Sequence, residues 1–220
     1  MAPGPEQTST RRYGGLTASE RDLERRRRLL NAGLDAFGTV GYAATSVDAL
    51  CAAAGVSTRN FYDHFSGRES LLIAVFDDGV AQARDATLEA LGALPPDASV
   101  RERTHAGLTA FAERMLGDER QARINFVEVV GASRTVEEHR RTAIRSFAEI
   151  FFHFAELLAS EGVITARPRH FFKVGSIALV GAVVEALLEW MTQEEHERVP
   201  LAEVIEVLVE LVGVLSGEPA

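Results

Sequence analysis

GYAATSVDALCAAAGVSTRNFYDHFSGRESL, residues 41–71, reads as two short helices joined by a tight turn. Val47, Leu50, Cys51 and Ala54 recur at helical spacing, the signature of a helix with one buried face. Ala54-Gly55-Val56-Ser57 supplies the turn. Glycine takes the left-handed backbone that ends one helix, and serine can accept from the free N–H groups that open the next. The second helix, Thr58 to about Phe65, begins on Thr58-Arg59-Asn60, three polar residues able to hydrogen-bond base edges or phosphates. Phe61 and Phe65 lie four apart and give it one docking face. Tyr62 and His64 project sideways. A helix-turn-helix needs this division: one face packed, the N-terminal residues free for a major groove.

Outward from this stretch, roughly Arg25 to Leu72 resembles the DNA-binding domain of TetR-type (tetracycline-repressor family) transcriptional regulators. The resemblance is carried by Phe37…Gly41-Tyr42, Thr45-Ser46-Val47, Ala54-Gly55-Val56-Ser57, Phe61-Tyr62…His64-Phe65 and Arg68-Glu69…Leu71. Many members carry lysine where Arg68 stands. The charge is kept, and the contact geometry changes. The resemblance implies an all-α fold of about nine helices. A disordered arm covers 1–18, a three-helix helix-turn-helix DNA-binding domain 19–66, and a helical bundle for ligand binding and dimerisation 67–220. Ser57, Thr58, Arg59 and Asn60 are the groove-entering residues, since arginine suits guanine and asparagine suits adenine. Thr45, Ser46, Tyr62, His64 and Arg68 are expected to hold phosphates and set register. For His64 and Tyr62 a purely structural role stays open.

Composition bounds this reading. A chain of 220 residues, 46% hydrophobic and 25% charged, has the makeup of an ordinary soluble globular protein. A net charge of −9 argues against DNA until its distribution is read. Residues 1–70 hold nine arginines against eight acidic residues; residues 71–220 hold fourteen basic residues against twenty-four acidic ones. Attraction to phosphate depends on the face presented, so the acidic part is expected to point away from DNA. The single cysteine, Cys51, excludes an intrachain disulfide, suits a reducing cytoplasm and falls in the apolar phase of its helix, as a buried structural thiol. The N-terminal segment lacks the apolar core of a secretory signal. The longest apolar stretch, Val174 to Leu188, is interrupted by Glu185 and too short to span a bilayer, so no membrane partner is expected.

Helix 1 is predicted from Ser19 or Glu20 to Thr39, capped by Thr17 or Ser19, with Leu30, Gly33, Leu34 and Phe37 as its core stripe. Arg25 to Arg28 span about 300° of that helix and cannot all face one way. Arg26 or Arg27 falls at the core edge; the run is a solvated face, or one or two of its members reach phosphates. A long helix runs from near Gly67 to about Leu94, stopped by Pro95-Pro96. Helices follow over 99–115, about 118–130, 133–160, about 168–192 and 201–215, punctuated by glycine and proline.

The last two helices are apolar over more than half their circumference, which demands cover on more than one side. Ile177, Gly181, Val184 and Leu188 on one, and Leu201, Ile205, Leu208, Leu211 and Val212 on the other, are expected to form a two-fold interface with a second copy. A buried hairpin in a monomer is the alternative.

No catalytic or metal constellation stands out, and no cofactor is expected. None of the six histidines has ligand spacing, and no phosphate loop, nucleophile elbow or dinucleotide fingerprint is present. The aromatic distribution is more suggestive. Phe111, Phe126, Phe147, Phe151, Phe154, Phe171 and Trp190 come from several helices and can wall a pocket for a small apolar or aromatic effector, oriented by Asn125, His153 or Arg145. For any single phenylalanine, core packing is the rival. The combined expectation is a homodimeric repressor of a palindromic DNA operator, released by that effector. A ligand-free regulator, a ligand-dependent activator and, remotely, a helical enzyme or storage protein remain as alternatives.

Overall fold

The computed structural model describes residues 17–216. Most of the arm expected over 1–18 lies outside the described residues; Thr17 and Ala18 instead open the first helix. Among the described residues there are nine α-helices: α1 (Ala18–Thr39), α2 (Val47–Ala54), α3 (Thr58–His64), α4 (Arg68–Gly92), α5 (Val100–Leu116), α6 (Glu119–Arg123), α7 (Arg134–Ser160), α8 (Arg169–Thr192) and α9 (Leu201–Ser216). No strand occurs among the described residues.

Local chemistry sets these bounds. Thr17 and Glu20 form a reciprocal capping box at the start of α1, as do Ser99 and Glu102 at α5. Ser46, Ser57 and Ser133 each accept from the backbone N–H three residues on, opening α2, α3 and α7. The segment expected as one helix over 118–130 is not uniform. After α6 the chain widens into a π-helical turn, Ile124–Glu128, a wider winding that nothing in its residue pattern announces.

The N-terminal head, α1 to α3 with the start of α4, has a core built on Leu29, Phe37, Leu50, Phe61, Leu71 and Leu72, all without exposed surface, and the remaining helices form the body. On α1 the buried stripe runs through Leu29, Ala32, Gly33 and Phe37, with Leu30 and Leu34 at its edge, one residue off the predicted phase. Ile124, Val129 and Val136 close this core from the far side of the sequence. Head and body are therefore joined by shared packing as well as by the continuous α4. In the body α4 runs along α5 and α7 along α8, with α9 against α5. Contact between α4 and α7 is sparse.

α8 is longer than its apolar stretch suggested: 24 residues, long and apolar enough to cross a membrane by length and composition. In the fold one side of it, Leu179, Val183 and Leu187, packs into the body with Ile205, Leu208 and Val209 of α9.

α1 and α6 cross with almost no room between their backbones. A Cβ placed on Gly38 would sit 2.4 Å from Arg120 Cβ and 2.6 Å from Arg120 Cα. These are main-chain and near-main-chain atoms that cannot rotate away. Gly38→Ala is therefore expected to force α6 off α1 and cost about 1–3 kcal/mol. In thermal denaturation this is a fall of several degrees in Tm, whereas alanine at the open Gly92 should leave Tm nearly unchanged.

Candidate nucleic-acid interface and apolar cavity

The turn between α2 and α3 is tied down by backbone geometry. Gly55 adopts φ 61°, ψ 41°, and the next N–H, of Val56, reaches back to the Cys51 carbonyl at 3.0 Å. Ser57 then caps α3, whose Phe61 is fully buried, while Phe65 just after the helix is nearly so. With that face fixed, Thr58 and Arg59 are exposed and Asn60 half-exposed at the N-terminal end. Ser46, Ser57 and Tyr62 are exposed around them. Cys51 is buried under the turn, and burial pushes its thiol pKa up, away from reactive thiolate.

Three expected phosphate contacts turn inward instead. Thr45 is only 3% exposed and donates its hydroxyl to the Gly41 carbonyl at 2.7 Å, because the 40–46 loop folds back on itself. The His64 ring is buried against Phe65 and faces Asp22 of α1 at 3.4 Å, so it braces α1 on α3. Arg68 donates to the carbonyls of Tyr42 (3.1 Å) and Thr45 and stacks over the Tyr42 ring. Its charge clamps the loop to the start of α4.

The arginine run on α1 is likewise committed locally. Arg25 pairs with Asp22 and Arg27 with Glu24. Arg26 lies 4.7 Å over Phe65, and Arg28 donates to the Gly55 carbonyl at 3.3 Å, supporting the turn.

Within the body, α4, α5, α7 and α8 enclose an apolar cavity of about 370 Å³, which α9 closes near its end. Phe111, Phe126, Phe147, Phe151, Phe154 and Phe171 meet there, with Phe172 beside Phe171 and with Phe76, which lies outside the expected aromatic set. Phe76, Val80, Thr87 and Leu91 share one face of α4, and that spacing could have revealed them. Trp190 is not part of the wall. Its indole donates to the Val199 carbonyl at 2.8 Å and Arg198 covers its ring, fastening the α8–α9 connection. Of the expected polar groups only Asn125 lines the cavity; His153 and Arg145 face outward. Asn125 accepts from Gln121 at 2.9 Å, and Gln121 also donates to the Val75 carbonyl on α4.

From this floor a chain of polar contacts leads to the head. Arg120 binds Asp118 and Asp35 of α1, and Asp118 is held well below the usual carboxylate range by the Arg120 guanidinium. Arg123 donates to the Thr39 carbonyl and to Glu128, which accepts from the Tyr42 N–H at 2.7 Å.

The expected interface residues divide. Ile205 and Leu208 are buried inside the chain's own core, and Val212 lines the cavity. Ile177, Gly181 and Leu211 face outward, and Val184, Leu188 and Leu201 are half-buried. Val174, Val207 and Val214, 65%, 65% and 75% exposed, extend this uncovered surface. A helix apolar all round gives no sequence phase to tell which side is inner.

A buried docking face, a glycine-ended turn and an exposed polar N-terminus on α3 define a helix-turn-helix within an all-α chain. Residues 29–75 match the sequence model of bacterial regulatory proteins of the tetR family. The match takes in 47 of the 220 residues, the helix-turn-helix and the start of α4. The HTH-type transcriptional regulator BetI of Klebsiella pneumoniae (strain 342) is 40% identical over 82 residues, 37% of this chain. The match spans only 42% of the BetI protein. Among solved structures, FadR from Bacillus subtilis in complex with stearoyl-CoA superposes with a TM-score of 0.72 at 16% identity, covering 88% of this chain and 99% of that one. AibR, in complex with isovaleryl coenzyme A and operator DNA, superposes with a TM-score of 0.63 at 18% identity, covering 89% and 100%. At such identities the likeness shows a common fold.

Arg140, on the cavity wall, is oriented by Glu137, which also pairs with Arg141. Hydrogen bonds from both guanidiniums bring the Glu137 pKa down from 4.5 to about 2. A depressed carboxylate contributes stability that is full above its unfolded pKa and lost as pH falls through the folded value. Wild type is therefore expected to melt above Glu137→Gln at neutral pH. The gap should close between about pH 4.5 and 2, as followed by thermal melts across that range.

Proposed function

We propose that this protein is a homodimeric DNA-binding transcriptional regulator, a repressor released by an apolar effector held in the body cavity. The observation that carries the reading is the outward N-terminus of α3, where Thr58 and Arg59 are exposed beside a half-exposed Asn60 while Phe61 fixes the helix from behind. Thr58, Arg59 and Asn60 read base edges; Ser46, Ser57 and Tyr62 hold phosphates. Two heads one DNA turn apart, about 34–36 Å, meet successive major grooves of a palindromic operator.

The second copy docks on the uncovered face of α8 and α9. The cavity suits a molecule with a substantial apolar part; the acyl thioesters bound by FadR and AibR support an acyl group. An effector that favours a displaced floor moves Asn125 and Gln121, and with them α6. Through Arg120, Arg123 and Glu128 that displacement reaches α1 and the 40–46 loop, changing the spacing of the heads. The effector shifts the equilibrium only by its preference for one arrangement over the other.

Arg59→Ala or Asn60→Ala is expected to cost about 1–3 kcal/mol of operator affinity and to relax preference at one base pair per half-site. Arg68→Ala should lower the melting temperature by loosening the 40–46 loop, without selectively relaxing one base position. Titrations over operator variants, paired with thermal melts, separate the two effects. Unchanged base preference after alanine replaces Thr58, Arg59 and Asn60 together would remove α3 as the reading element.

For the dimer, Ile177→Glu or Val207→Arg places a charge on a surface that is open within one chain, so the fold should survive while self-association fails. Sedimentation velocity at micromolar concentration should show a wild-type dimer and variant monomers. A monomeric wild type would overturn the interface and the two-half-site arrangement with it.

A further inference from the structure

The body is acidic, yet no acidic residue occurs between Glu161 and Glu185. The same interval holds Arg167, Arg169, His170 and Lys173, gathered where α8 begins. This is the end of the apolar cavity farthest from α6. Beside it lies a second recess of about 260 Å³ that includes Ser160 and Glu156 of α7 together with Arg167 and Arg169. Phe172 is a wall of both spaces. Arg169 Nε donates to Glu156 at 2.9 Å, while Arg167 stacks over Phe171 and has no acidic partner among the described residues. Glu156 thus balances one of two guanidiniums, and the recess keeps a net positive charge.

The main cavity is long. Its wall on α4 runs from Phe76 to Leu91, about 22 Å at 1.5 Å per residue. It is shut at the Phe76, Asn125 and Phe126 end, where all three side chains are buried. Carbon–carbon bonds of ~1.5 Å at near-tetrahedral angles advance ~1.25 Å each in an extended chain, so ~22 Å corresponds to roughly 16–18 carbons. One turn along α8 from Phe172, the Ser176 hydroxyl borders the cavity in a residue 94% buried, with no hydrogen-bond partner among the described residues.

We propose that the effector is a single-chain anionic amphiphile whose unbranched acyl tail of roughly 16 carbons fills the cavity and whose anionic head is held by Arg167 and Arg169 in the adjoining recess. The proposal rests on the reading of the cavity as the effector site. Guanidinium forks suit the paired oxygens of a carboxylate or phosphate. Of the arginines around the cavity, Arg84 and Arg140 are paired with carboxylates, whereas Arg167 has no such partner among the described residues, so an anion is drawn to the start of α8. Ser176 offers an uncommitted hydroxyl to an oxygen of the head or of the linkage that joins head to tail. The carboxylate of a free fatty acid and the phosphates of a carrier joined to an acyl group share this chemistry.

The test is titration of the full chain with palmitate, palmitoyl-coenzyme A and neutral 1-hexadecanol, each below its micellar concentration. Wild type is compared with Arg167→Gln and with Arg167→Gln/Arg169→Gln, after circular dichroism confirms that the variants fold. Arg167 is exposed, so its substitution alone leaves the core intact. At least one anionic ligand should bind on the order of tenfold more tightly than hexadecanol. That advantage should shrink in the single variant and vanish in the double one, with hexadecanol binding unchanged. The anion with the larger advantage identifies the head. Equal binding of all three ligands to wild type, or an advantage that survives in the double variant, overturns the head-group assignment while leaving the cavity reading intact. Failure of every ligand, hexadecanol included, overturns the cavity reading itself.

Discussion

Gly38 of α1 and Arg120 of α6 approach until no Cβ fits between them, and the rest of the molecule is arranged around that contact. It seats the start of α6 on α1, and the π turn follows directly at the end of that short helix. The π turn places Ile124 in the core of the reading head and Asn125 and Phe126 at the floor of the cavity. A five-residue segment thus belongs to two interiors at once. With packed side chains on both sides it cannot slide by a fraction of a contact without both cores responding, since close-packed interiors transmit strain. Asp35, Thr39 and Tyr42 receive this segment through charge-assisted and backbone hydrogen bonds, which are shorter and more directional than apolar packing.

The body leaves apolar surface uncovered in two places, one internal and one external. Internally, phenylalanines from four helices border a space; beyond edge-to-face pairs such as Phe111–Phe147 they forfeit part of the dispersion contact that close packing would give. Externally, Val174, Ile177, Val207 and Val214 face water. Sparse contact between α4 and α7 is the common cause of the internal space: these helices do not close over it as α4 closes on α5. A sequence that spends so much apolar surface without burying it within one chain reserves it for contacts outside that chain.

What the sequence revealed and concealed follows the range of the interactions. The helix-turn-helix was legible because its determinants are local. Ser46, Gly55 and Ser57 act on groups within a few residues, and Phe61 with Phe65 state the docking face outright. Thr45, His64 and Arg68 were misplaced because their partners depend on how the 40–46 loop and α1 fold back, which spacing along α2 and α3 does not encode. The apolar stripes of α8 and α9 were legible as helices but not as surfaces. Ile205 and Leu208 point into the body while Val207 and Leu211 point out, and hydrophobicity alone does not separate them. The aromatics of α5 and α7 reached the cavity as the pattern suggested, whereas Trp190 is drawn off by a backbone carbonyl that only the α8–α9 connection supplies.

The arginines of the reading head are mostly spent on the protein itself: on Asp22, Glu24, the Phe65 ring, and the carbonyls of Gly55, Tyr42 and Thr45. Arg59, at the tip of α3, is exposed and has no acidic partner among the described residues. Few counterions are then displaced when the described head meets a duplex of arbitrary sequence, and counterion displacement is what holds a protein on random DNA. The acidic body behind it adds repulsion. Under the proposed function, a head so spent on itself would make brief visits to random DNA and linger only where base edges answer α3. Selectivity would then come as much from how little the described head clings elsewhere as from how well it fits its site.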